Sequence, residues 1–121
     1  MLSGCDRLLH FHVILQADFP ITFDQAIDSL QTIKGMFSEP DGSFFWASSQ
    51  GGPRWQVEGN LYDQGDRLAY AELKGNCPEG SFDELLRAFG WPGTPLVFQL
   101  PEEGIYLDET GFRRFAAAPR T

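Results

Sequence analysis

Between residues 8 and 17, LLHFHVILQA, apolar and polar positions alternate. Leu9, Phe11, Val13 and Leu15 fall on one side; His10, His12 and Gln16 fall on the other with Ile14 among them. That period predicts a strand with one buried face. In ITFDQAIDSLQTIKG the period changes to that of a helix: Phe23, Ala26, Ile27, Leu30 and Ile33 recur at helical spacing. Thr22 and Gln25 form a capping-box pair, Ile21 stands where a staple belongs, and Gly35 stands where the helix should stop. SEPDGS reads as a turn.

Residues 43 to 63, SFFWASSQGGPRWQVEGNLYD, read as a hairpin. Pairing Ser49 with Trp55 leaves Gln50 to Arg54 as the loop. In that register Phe45, Ala47, Val57 and Leu61 share the core face, and Phe45 covers Gly59 across the ladder. Phe44, Trp46, Gln56, Glu58, Asn60 and Tyr62 then share the opposite face. A slip of one residue would invert the assignment. DQGD turns the chain into RLAYAELKG, residues 67 to 75, completing a meander. Its Ala69, Ala71 and Leu73 alternate with Leu68, Tyr70, Glu72 and Lys74.

GSFDELLRAFG repeats the helix grammar. Ser81 and Glu84 form a second capping box, Phe82, Leu85, Leu86 and Phe89 make the stripe, and Gly90 ends it. After the connector WPGTP, the segments PLVFQL, GIYLD and FRRFA read as three short strands. ETG between the last two suits a hairpin with Gly111 in the left-handed conformation. The expected architecture is an α+β two-layer sandwich. Its largely antiparallel sheet has about seven strands, two helices cover one face, and the order is β-α-βββ-α-βββ. TFDQAI and SFDELL head two similar helix-plus-meander halves, residues 20–75 and 80–116, within a single domain spanning 1–121. This helix-and-meander arrangement resembles folds used by small acidic secretion chaperones and by inhibitor or immunity proteins. The resemblance lies in the fold alone, which does not fix function.

Composition narrows the class. With 42% hydrophobic residues the chain can supply a packed core, and a net charge of −8 argues against a nucleic-acid partner. No run is long and apolar enough to span a membrane. Cys5 and Cys77 are too few for a disulfide scaffold and match no metal spacing. They read as thiols in a reducing cytoplasm, a single bridge being the alternative. Leu2-Ser3-Gly4-Cys5 resembles the lipoprotein cleavage tetrad, but the basic and apolar regions that must precede it are missing unless the true start lies upstream.

Candidate chemistry is sparse. His10 and His12 would stand about 6–7 Å apart on one strand face, a pair that binds metal only if a third ligand converges. None is evident, and no metal or cofactor is expected. Cys77 precedes Pro78 in a loop before the second helix, where thiols can be acidified, but no hydrolase signature surrounds it. The backbone around Gly51-Gly52, with Arg54 nearby, could cradle an anion, although hairpin punctuation explains those glycines. SSQGGPR fits neither a nucleophile elbow nor a Walker pattern. Asp63, Asp66, Asp108 and Glu109 read as turn residues and make no calcium loop.

The collective feature is the uncovered sheet face. His10, His12, Phe44, Trp46, Tyr62 and Tyr70 would lie there among hydrogen-bonding groups, a composition that interaction surfaces use. The expected function is therefore a non-enzymatic protein-interaction module, chaperone-, inhibitor- or adaptor-like, whose partner is another protein or a second copy. The alternative is a small-ligand binder or minor enzyme with a pocket on that face, using His10 or His12 as acid or base.

Overall fold

The computed structural model describes residues 7–48 and 54–118. In chain order the elements are β1 (Leu8–Gln16), α1 (Phe23–Gln31), β2 (Met36–Ser38), β3 (Ser43–Ala47), β4 (Gln56–Gln64), β5 (Arg67–Pro78), α2 (Glu79–Arg87), β6 (Val97–Leu100), β7 (Ile105–Leu107) and α3 (Glu109–Ala117). The strands form one antiparallel sheet in the order β2-β3-β4-β5-β1-β6-β7. The expected α+β sandwich is present, with seven strands and a layer of helices. The long strands β1, β4 and β5 form its centre.

Alternation dictates the layering. Leu9, Phe11, Val13 and Leu15 of β1, Val57 and Leu61 of β4, and Ala71 and Leu73 of β5 are all buried on one face. Every helix packs there. Phe11 meets Phe82 of α2 at 5.0 Å and Phe112 of α3 at 6.2 Å between ring centroids, and Phe112 stacks on Phe98 of β6 at 4.6 Å. Ala26, Ile27 and Leu30 of α1 join the same core. Burying each such ring contributes roughly 1.5–3 kcal/mol.

The first helix forms as its sequence predicts. Thr22 Oγ1 accepts from Gln25 N at 3.1 Å, and Gln25 Oε1 accepts from Thr22 N at 2.9 Å. The second begins earlier than Ser81. β5 runs directly into it, Pro78 is the N-cap with no side-chain cap, and Ser81 and Glu84 lie inside the helix. Cys77 is accordingly a buried residue at the end of β5, not a loop residue. Cys5, the tetrad that contains it and the Gly51-Gly52 segment lie outside the described residues.

Three further expectations are corrected. FRRFA is helix, not strand. Asp108 caps α3 by accepting from Gly111 N at 2.8 Å, and Gly111 is not in the left-handed region. Phe112 and Ala116, one turn apart, are buried, and that spacing defeats the alternation of so short a segment. The second half is thus helix, hairpin, helix. In the first half, Met36–Ser38 adds an edge strand ahead of the SEPDGS turn, so four strands separate α1 from α2. On β5, a bulge opposite Tyr62/Asp63 resets the alternation and turns Leu68 inward.

The most consequential correction is the β3 register. Phe44, not Phe45, stands opposite Gly59, and Ser48 N donates to Trp55 O at 3.0 Å. Phe44 and Trp46 are therefore in the core at 4% and 3% exposure, while Phe45 is 40% exposed on the other face. The reason is apolar area. The observed register buries Phe and Trp, whereas the alternative buries Phe and Ala. It also satisfies the indole: Trp46 Nε1 donates to Lys34 O at 3.0 Å, and Trp55 packs edge-on at 4.9 Å. The expectation that a ring covers Gly59 holds with Phe44 as the ring. A Cβ at Gly59 would strike it and the Glu72 carbonyl.

Arg113 joins the two C-terminal helices. Its side chain, 12% exposed, meets Glu79 at 2.9 Å, Asp83 at 2.7 Å and Glu109 at 2.9 Å, and its guanidinium lies over Trp91 and Phe82. Burial opposes the charge, but the three carboxylates outweigh it and raise the Arg113 pKa. Burial likewise opposes ionisation of Glu79, yet hydrogen bonds from Arg7 and Arg113 hold its carboxyl below the usual range.

Two outcomes are expected. Gly59→Ala will lower unfolding free energy by about 1–3 kcal/mol through overpacking, read by urea denaturation. A neutral effect would contradict the Phe44 register. Arg113→Met will cost about 3 kcal/mol at neutral pH by leaving carboxylates unpaired. Because the folded Glu79 pKa is depressed, its contribution is present above the unfolded value and lost as pH falls through the folded one. The Arg113→Met deficit should therefore shrink in acid; a deficit that grows as pH falls would contradict the pairing.

Candidate functional site: the open sheet face

With the three helices of the described residues on one side, none of them covers the other side of the sheet. The strand registers lay its residues out in rows. One row runs Tyr62, Tyr70, Gln16, Val97; the next runs Ser43, Asn60, Glu72, Ile14, Gln99, Tyr106. The third runs Phe37, Phe45, Glu58, Lys74, His12, and the fourth Ala47, Gln56, Asn76, His10. Each row contains neighbours across the ladder, and adjacent rows lie two residues apart along the strands.

Of the residues expected on this face, His10, His12, Tyr62 and Tyr70 are there; Phe44 and Trp46 are beneath it in the core. Their place is taken by residues the sequence reading did not single out. Phe45 and Phe37 form a cross-strand pair at one edge, with Phe37 71% exposed. Tyr106, 61% exposed, and Val97 stand at the other side. The signal for Phe45 was in the sequence, since choosing the register that buries more aromatic area exposes it. Phe37 belongs to a three-residue strand that runs into the apparent turn SEPDGS, and nothing in its local pattern reveals it.

Tyr62 and Tyr70 stack at 4.5 Å with a 17° interplanar angle. Partial burial, followed by the Glu72 carboxylate, raises the Tyr62 pKa and keeps the phenol protonated. Next to them Gln16 Nε2 donates to Gln99 Oε1 at 2.6 Å. At the centre His12 lies between two carboxylates: Nε2 is 2.7 Å from Glu72 Oε2 and Nδ1 is 3.2 Å from Glu102 Oε2 in the β6–β7 turn. Two acceptors on one imidazole call for both nitrogens to carry protons. The Glu72 hydrogen bond raises the His12 pKa, burial opposes it, and Glu102 adds to the rise.

That arrangement limits what His12 does. While it is protonated between its two carboxylates it is a poor general base, and neither ring nitrogen has a lone pair to offer a metal. Among the described residues no group of three or more His, Cys, Asp or Glu is arranged to hold a metal ion. Two hollows indent the face. One of about 280 Å³ lies among His10, His12, Lys74, Asn76, Glu102 and Glu103 and reaches Phe115 of α3. The other, of about 240 Å³, lies among Ser43, Glu58, Asn60, Glu72 and Lys74. Both are wide open and small for a ligand pocket. Among the described residues no helix is long and apolar enough to cross a membrane.

Comparison with protein-family models, curated proteins and solved structures finds no match. The functional reading accordingly rests on the face itself.

His12 carries a pH signature. Its raised folded pKa makes its contribution complete below the unfolded value of about 6.5 and lost as pH rises through the folded value. His12→Gln should therefore destabilise the protein most at pH 5 to 6 and progressively less toward pH 8, read by parallel denaturation series. A deficit that grows with pH would contradict the Glu72–His12–Glu102 bridge.

Proposed function

We propose that the protein is a non-enzymatic protein-interaction module, of adaptor, inhibitor or chaperone type, that docks a protein on its open sheet face in the cytoplasm. The observation that carries this reading is the concentration of aromatic residues on a face that no helix of the described residues covers: Phe37, Phe45, Tyr62, Tyr70 and Tyr106. Tyrosine and phenylalanine set among amides and charges supply contact area with built-in polar handles, the composition of docking surfaces rather than of plain solvated sheet. The shallow hollows and the engaged His12 weigh against the alternative of a small-ligand pocket or a histidine acid–base centre.

The test is retention on immobilised protein. Wild type should retain a specific protein that Tyr70→Ala with Tyr106→Ala releases, while Asp28→Asn on the outer side of α1 retains it. A second copy of the chain counts as such a protein. Equal retention by both variants, or none by wild type together with a monomer in solution, would sink the reading.

A further inference from the structure

This inference rests on the open face being a docking surface, and it names the occupant. The geometry points to a second copy of this chain, packed face to face across a two-fold axis that crosses β5 between Glu72 and Lys74.

Charge selects the face. A chain of net charge −8 repels its own copies over most of its surface. α1 carries Asp24 and Asp28 with no Lys or Arg, and Asp18, Glu39, Asp41 and Asp66 crowd the turns and connections. A basic partner would be drawn to those surfaces. On the open face each strand carboxylate has a basic side chain beside it: Glu58 stands opposite Lys74, and Glu72 bonds His12, which also holds Glu102 of the β6–β7 turn. This is the surface two acidic copies can bring together.

Symmetry then selects the orientation. In a two-fold contact every residue must find its complement within the same patch, and β5 is the central strand of the sheet. An axis along β5 would lay Lys74 on Lys74 and Glu72 on Glu72. An axis across the strands, between their two rows, lays Lys74 of each copy over Glu72 of the other, twice. Glu58 then faces Asn60, and the Tyr62–Tyr70 row faces Gln56, Asn76 and His10. Glu72 spends one oxygen on His12, and a carboxylate has acceptor sites to spare. At strand and residue spacings the face offers about 600 Å² in projection, which side-chain relief brings near the roughly 800 Å² per partner of a standard interface. Packed sheets lie within about 30° of alignment, so the central Lys74–Glu72 pairs survive the twist best.

Sedimentation across the micromolar to millimolar range tests this. Wild type should dimerise, more weakly as salt rises. Lys74→Glu and Glu72→Lys should each weaken the dimer by about tenfold or more, the effect of reversing one member of a close charge pair. An equimolar mixture of the two should associate at least as well as wild type, because each then meets its opposite. Should circular dichroism reveal that Glu72→Lys does not fold, carbodiimide cross-linking of mixed light and isotope-labelled wild type replaces it. The expected product joins Lys74 of one isotope to Glu72 of the other. A wild-type monomer throughout overturns the proposal, as does a dimer indifferent to both changes or cross-linked elsewhere. A monomer that still retains another protein through Tyr70 and Tyr106 overturns only the second copy; a monomer that retains nothing sinks the docking reading too.

Discussion

The structure depends on one-sidedness. β1, β4 and β5 place their fully buried apolar residues on a single face, and three amphipathic helices share it. From that constraint follows the phenylalanine cluster that ties β1 and β6 to α2 and α3. The Arg113 joint follows as well: packing α3 beside α2 brings Glu79, Asp83 and Glu109 around one guanidinium. It also leaves a broad sheet surface whose composition is not that of a purely solvated face. The same alternation that builds the core thus creates the candidate site.

The two faces are coupled through β3. Which of its aromatics goes inward decides both the packing over Gly59 and the corner of the open face where Phe45 meets Phe37. A protein that buried Phe45 would lose the Trp46 hydrogen bond to Lys34 O and present an indole to solvent. Core energetics, not the demands of a partner, therefore set part of the surface.

Long periodic segments were legible in the sequence. Nine residues of β1 and the Thr22-capped helix carry enough repeats for the period to be unambiguous, and the alternation of β1, β4 and β5 put His10, His12, Tyr62 and Tyr70 on the face where they stand. Short segments were not. Met36–Ser38 and the Asp108-capped helix are decided by what they pack against, and Gly111 in ETG mimics a hairpin when it is a residue of a helix's first turn. The hairpin between β3 and β4 failed for a different reason: alternation fixes which residues share a face of one strand, but pairing two strands across a loop needs the packing term as well. The Glu72–His12–Glu102 bridge joins residues up to 90 apart in sequence, so no local pattern could have announced it.

The claim that matters most is that the bare face is where this protein meets its partner, and that the partner is its own copy. A dilution series of amide and side-chain NMR spectra addresses it directly. The account predicts concentration-dependent shifts centred on Glu58, Tyr70, Glu72 and Lys74 and fading toward the helices, with α1 and the outer side of α2 unmoved. Shifts concentrated on α1, α2 or α3, or spectra unchanged up to millimolar concentration, would contradict it.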